Sequence, residues 1–189
     1  LTTSQIAALT TDQVVGLSTA NANALTTKQI LAITTDDLQA LTTANMAVIT
    51  TDQITALTTA QITALTTAHV SVLTSDQAVS LSTEQVAAFK TAQLVALTTD
   101  NLAAMSTDQV SALTTVQLAA LTTAQLLKME TDDIAAITTD QITALKTAQV
   151  AGLTTAQVVA LSTDQVSTLT TAQLASLTTA QLLQMETDD

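Results

Sequence analysis

The chain has no cysteine, proline, tryptophan, tyrosine or arginine, a single aromatic residue (Phe89) and only two glycines (Gly16 and Gly152) in 189 residues. Without cysteine there are no disulfide staples and no thiol chemistry, a composition compatible with an exported protein. Without proline and nearly without glycine, the corner residues of turn-rich folds are missing. Four lysines at a net charge of −12 argue against nucleic acid, whose recognition rests on cationic side chains neutralising phosphates. Paired threonines and glutamines interrupt every apolar run well short of the roughly 18 to 20 residues that span a bilayer. Disorder needs low hydrophobicity, and this chain is 47% hydrophobic.

What is present is a period. A large apolar residue stands at every eighth position from Leu1, Leu9 and Leu17 to Leu177 and Met185, in 24 consecutive registers. The unit reads L-T-T-(D/A)-Q-(V/I/L)-x-A, and its places are numbered 1 to 8 from Leu1. Position 6 is apolar in all 23 complete octads and position 8 is mostly alanine. These spacings predict that positions 1, 6 and 8 face inward. Position 7 varies freely and position 4 is acidic in 11 copies, as outward positions behave.

Positions 2 and 5 form T-x-x-Q, as in Thr2 to Gln5, Thr50 to Gln53 and Thr154 to Gln157. This is the capping box, in which the hydroxyl accepts from the third helical amide and the glutamine returns to the N-cap amide. The same register makes positions 1 and 6 the two halves of a hydrophobic staple, and it puts the position-4 carboxylates in the first turn, where the helix dipole favours them. Each octad therefore starts a helix. Position 3 competes for the N-cap, because it is Thr in 23 copies and Ser75 in the other, whereas position 2 admits Lys90, Lys146, Glu130 and Glu186. The complete capping box favours position 2.

One continuous helix is excluded by geometry: eight residues overshoot two α-helical turns by about 80°, so the apolar stripe would wind around the rod. Helices this short are marginal alone and must stack. The expected fold is an all-α solenoid of one- to two-turn helices, one per octad, coiled into a compact superhelix with three to four octads per turn. A β-solenoid is the alternative, since Thr, Val and Ile favour strands and an even period keeps faces in register. Residues 1–189 read as a single array and as part of a longer one. The stretch Phe89–Asp133 recurs as Leu145–Asp189, seven octads further along. Recent duplication accounts for it, as would seven octads making two superhelical turns.

No catalytic, cofactor-binding or metal site emerges. His69, the only histidine, replaces glutamine at position 5 and reads as a cap. With no cysteine and no second histidine, neither a nucleophilic constellation nor a zinc site can be assembled. The pairs Asp36-Asp37, Asp132-Asp133 and Asp188-Asp189 offer oxygen ligands but lack the loop of a calcium site, and read as solvated first-turn carboxylates. Met46, Met105, Met129 and Met185 fall at positions 6 or 1 and read as core fillers.

The octad L-T-T-A-Q-L-x-A resembles the threonine- and glutamine-rich octapeptide tandem repeats of very large bacterial surface or secreted proteins, over the whole chain. The start L-T-x-x-Q also resembles that of transcription-activator-like effector repeats, whose longer unit, base-reading loop and basic character are absent. The first resemblance implies an extracellular or cell-surface stalk segment without catalytic activity. Its partners would be neighbouring repeats and, through its apolar ends, further copies stacked end to end. A binding module presenting its threonine or acidic face to ice, glycan, calcium or protein is the alternative.

Overall fold

The computed structural model describes residues 1–185 and divides the chain into two compact units, Leu1–Leu97 and Thr98–Asp189. All described secondary structure is helical, with 23 helices of four to six residues, one per octad, from Thr3–Ala7 to Thr179–Leu182. No strand occurs among the described residues, so the β-solenoid is not the fold.

Position 2 is the N-cap throughout. Thr50 has an extended backbone (φ −77°, ψ 164°), its Oγ1 accepts from the Gln53 amide at 3.2 Å, and its own amide donates to Gln53 Oε1 at 2.7 Å. Exceptions at position 2 are tolerated because half of the box survives: the Lys146 amide still donates to Gln149 Oε1, and the Gln149 amide turns to the Lys146 carbonyl at 2.9 Å. Glu186, the fourth exception, lies outside the described residues. Each helix ends because the next one must begin. Position 1 closes the last turn, as Leu57 does by donating to the Ile54 carbonyl at 3.2 Å, and then adopts φ −61°, ψ 136°. Two extended residues thus separate successive helices. Neither glycine has a positive φ, so helix termination here does not depend on left-handed backbone.

Within each unit, helices three octads apart pack on one another: Thr51–Ala56 on Thr27–Ala32 in the first unit, Thr139–Ala144 on Thr163–Thr168 in the second. The chain therefore coils, and a rung of the coil takes between three and four octads. Position 6 is buried from Ile6 to Val158, with Ile30, Leu38, Ile54, Leu118 and Ile142 fully so, and position 1 is buried from Ile33 to Leu161. Met46, Met105 and Met129 are buried core residues, as expected, and Met185 is half-buried.

Two expectations about facing need correction. Position 8 is only half-buried, as at Ala56 and Ala136, and is exposed at Ala8 and Gly16. It lies about 200° around the helix from position 6, too far to share its face. Position 5, expected to serve only the cap, is buried instead, with Gln53, Gln85 and Gln173 1 to 3% exposed.

Replacing Ile54 with alanine is expected to lower the stability of the array by about 2 to 5 kcal/mol, the usual cost of a large-to-small change in a closed core. Thr55→Ala, at the exposed position 7 next to it, is expected to change it by less than about 0.5 kcal/mol. Urea titration followed by circular dichroism reads both.

Candidate functional site

The burial of position 5 turns a local cap into the main polar feature of the molecule. Gln85 shows the pattern. Its Oε1 accepts from the Ser82 amide at 2.9 Å, which completes the N-terminus of its own helix. Its Nε2 donates to the carbonyls of Ile54 (3.0 Å), Thr55 (3.1 Å) and Leu57 (2.7 Å), at the C-terminal end of a helix in the preceding turn. The Ile54 carbonyl already accepts from the Leu57 amide, and those of Thr55 and Leu57 belong to the set that a helix leaves unpaired at its end. One amide side chain therefore satisfies two helix termini in two successive turns.

The spacing is constant. Gln61 donates to the Ile33 carbonyl, Gln77 to Ile49 and Gln93 to Leu65 in the first unit, and Gln149 to Leu121, Gln157 to Met129 and Gln173 to Leu145 in the second. Every one spans 28 residues, or three and a half octads. Seven octads therefore make two turns in each unit, which matches the seven-octad shift between similar stretches of sequence. No buried side-chain nitrogen or oxygen among the described residues lacks a hydrogen-bond partner.

Substitutions at position 5 show why glutamine is preferred. Asn45 reaches the Leu17 carbonyl at 3.1 Å, but its helix has no reciprocal capping bond, because the side chain is one methylene shorter. Asp133 keeps the cap, accepting from the Glu130 amide at 3.2 Å, but an ionised carboxylate has no proton to donate to the turn behind it. His69 manages both bonds. Its Nδ1 accepts from the Thr66 amide at 3.4 Å while Nε2 lies 2.7 Å from the Leu41 carbonyl, and these partners require the neutral ring with its proton on Nε2. The expected capping role of His69 is thus half of what it does.

The aspartate pairs divide. Asp36 and Asp132 are solvent-exposed first-turn carboxylates, whereas Asp37 and Asp133 are buried at position 5, which corrects the reading of both pairs as solvated. Asp188-Asp189 lies outside the described residues. Burial pushes the Asp133 carboxyl above its ordinary value; the bond from the Glu130 amide opposes this, and repulsion from Glu130 and Asp132 adds to it. At exposed Glu84 the direction reverses, because its backbone amide and the Ser82 and Thr83 hydroxyls donate to the carboxylate. Among the described residues no three His, Cys, Asp or Glu side chains are grouped to hold a metal ion. Two open clefts of about 270 Å³ each are present among the described residues, one at the first turn lined by Leu1, Ile6, Leu17 and Leu25, where position 1 has no preceding turn to cover it, and one lined by Thr155, Ala156, Val159 and Gln184.

The ALTTAQ repeat model matches residues 30–67, 83–115, 115–147 and 142–171, which is more than half of the chain. The chain belongs to the ALTTAQ repeat family. No curated protein matches it. The tandem ALTTAQ matches agree with the octapeptide array expected from sequence, and the helical solenoid accounts for its invariant places. Position 1 is core and chain reversal, position 2 the cap, position 5 the bond between turns and position 6 the axial core. No helix is long and apolar enough to cross a membrane among the described residues. Sequence reasoning missed the second role of glutamine, whose signal was its persistence at a position where a cap alone would accept glutamate.

Gln93→Glu preserves shape but presents a carboxylate to the carbonyls of Ile62 and Leu65, and is expected to cost about 1 to 3 kcal/mol at neutral pH. Protonation restores a donor, so the loss should shrink as the pH falls through the acid range. Asp133→Gln is the converse: it supplies a donor toward the Met105 carbonyl, three and a half octads back. Because the native Asp133 carboxyl is raised above its unfolded value, its stability is fully present below that value and is lost as pH rises through the folded one. The gain in melting temperature from Asp133→Gln should accordingly be larger at pH 7 than at pH 3.

Proposed function

We propose that this ALTTAQ array is a structural spacer, a stalk segment of a large bacterial surface or secreted protein, with no catalytic activity of its own. The observation that carries this reading is the uniform bond between turns, three and a half octads in span. The same position-5 glutamine joins successive turns in both units, so length is added in equal steps by adding octads, and each octad packs only on octads of the adjoining turns. The chemistry of the chain is spent inward, on caps and carbonyls. Its cysteine-free composition suits an exported location, and its acidic surface keeps copies soluble.

End-to-end stacking fits the same geometry. Leu1 is 72% exposed and Gln5 and Gln13 are exposed, whereas their equivalents deeper in the array are buried; Leu174 and Leu182 are exposed at the other end, where position 6 has no following turn. The two faces complement each other, since one presents the glutamines and the other the carbonyls they would meet. A second reading, a ligand-binding threonine face, is favoured by position 3. It is Thr in 23 of 24 octads although capping falls to position 2.

The test is to insert one or two further copies of residues 89–144, seven octads each, into the array. Small-angle scattering should show the maximum dimension growing by about 16 to 20 Å per insert, two turns at the usual spacing of packed helices. Helicity per residue should stay constant. Collapse to a globule or loss of helicity would sink the spacer, and thermal hysteresis in a freezing solution would favour the threonine-face reading over it.

A further inference from the structure

His69 stands where its neighbours Gln61 and Gln77 carry the amide that joins two turns, and it differs from them in one respect that the fold does not use: it can take up a proton. It is 3% exposed. Its two ring nitrogens meet opposite demands. Nδ1 must accept, because the Thr66 amide donates to it at 3.4 Å and so completes the capping box of the helix Thr67–Ser71. Nε2 must donate, because its partner at 2.7 Å is the Leu41 carbonyl, at the end of the helix Thr35–Ala40 in the preceding turn. A primary amide satisfies both demands at every pH, with an oxygen on one side and a nitrogen on the other. An imidazole satisfies them only while neutral, since the imidazolium is a donor at both nitrogens. Turning the charged ring over does not help, because it offers no acceptor in either orientation.

Few charged groups surround the ring. Thr67–Ser71 carries none besides His69, and neither do the preceding helix Thr59–Ala64 and the helix Thr43–Val48 packed on it. Thr91–Ala96, also packed on it, begins at Lys90, a further cation. Asp76, in the following helix Ser75–Ser80, is exposed. The helix that supplies the Leu41 carbonyl holds exposed Asp36 and buried Asp37 in its first turn, about 6 Å along the axis from Leu41, and the Thr34 hydroxyl already donates to Asp37. A carboxylate there attracts a positive ring but cannot replace the acceptor that the Thr66 amide loses.

We propose that His69 is an acid-sensitive joint in the first unit: protonation of its ring breaks the Thr66 cap and loosens the turn that the ring holds to the Leu41 carbonyl. The proton enters at Nδ1, and an N–H then points at an N–H. What remains at the start of a five-residue helix is the bond from the His69 amide to the Thr66 hydroxyl at 3.1 Å, with a charge buried beside it. In the unfolded chain water accepts from both nitrogens, so unfolding takes up a proton and stability falls as the pH falls. Asp133, in the second unit, works in the opposite sense, because protonation gives it the donor it lacks. The array thus holds one joint that acid breaks and one that acid makes. This goes beyond the spacer reading and does not depend on it.

The test compares the full chain with His69→Gln, which restores the amide of the neighbouring octads, in urea titrations between pH 8 and pH 5, the interval in which imidazole takes up its proton. At each pH the ratio of the two unfolding constants is read, so that carboxylates common to both chains, Asp133 included, cancel. That ratio is expected to move about tenfold or more against the wild type from pH 8 to pH 5. Because the chain has one histidine, its ring resonances report on this site alone. They should show protonation over the same interval in which the Thr66 amide loses protection from hydrogen exchange relative to His69→Gln. A constant ratio, a wild type that gains on the variant as the pH falls, or a protonated ring with Thr66 still protected would each overturn the proposal.

Discussion

The structure depends on one primary amide in two hydrogen-bonded roles. A helix of five or six residues has almost as many unpaired backbone groups as paired ones, and twenty-three such helices multiply the deficit. The glutamine at position 5 meets it from both sides, accepting from the amide where its own helix begins and donating to carbonyls where a helix of the preceding turn ends. Burying this amide without partners would cost about 1 to 3 kcal/mol per octad, so its satisfaction is a condition for the array to exist at all. Apolar burial at positions 1 and 6 supplies the driving force, and the amide fixes the register in which it is realised.

That register explains which substitutions occur. At position 5 Asn45 keeps the bond between turns, Asp133 the cap and His69 both, while Asp37 accepts from the Thr34 hydroxyl instead. Position 2 tolerates lysine and glutamate because the backbone carbonyl can take over the hydroxyl's share. Positions 4 and 7 have no such duties, and there the sequence is free to carry charge in one place and valine or leucine in another.

The local half of this was legible in the sequence. The threonine-to-glutamine spacing, carried through its exceptions by the eight-residue period, located the helix starts; the period excluded a continuous helix, and the apolar places 1 and 6 identified the axial core. The burial of Gln53 or Gln85 was not legible, because their second partners, the carbonyls of Leu25 and Leu57, lie a full turn of the coil away and no local pattern reveals its pitch. The same gap explains Asp37 and Asp133, which look like ordinary first-turn carboxylates until a neighbouring turn covers them. The inward placement of position 8 failed for a different reason: its alanine follows the apolar period of the sequence but sits too far around a short helix to reach the axis.

A turn of three and a half octads has a half-integer in it, and the half matters. Within each unit a helix packs on the one three octads back while its glutamine reaches the end of the one four octads back, so successive courses are offset, as bricks are laid in running bond, and no seam runs along the wall. The pattern returns to itself only after two courses. Any marking that must form a straight line on the outside, whether of carboxylates or of valines, has to be written with a period of seven octads, and a mark repeated at every third or fourth octad drifts around the surface. Octad duplication lengthens such a wall, but only duplication by sevens lengthens it without turning its decorated side away.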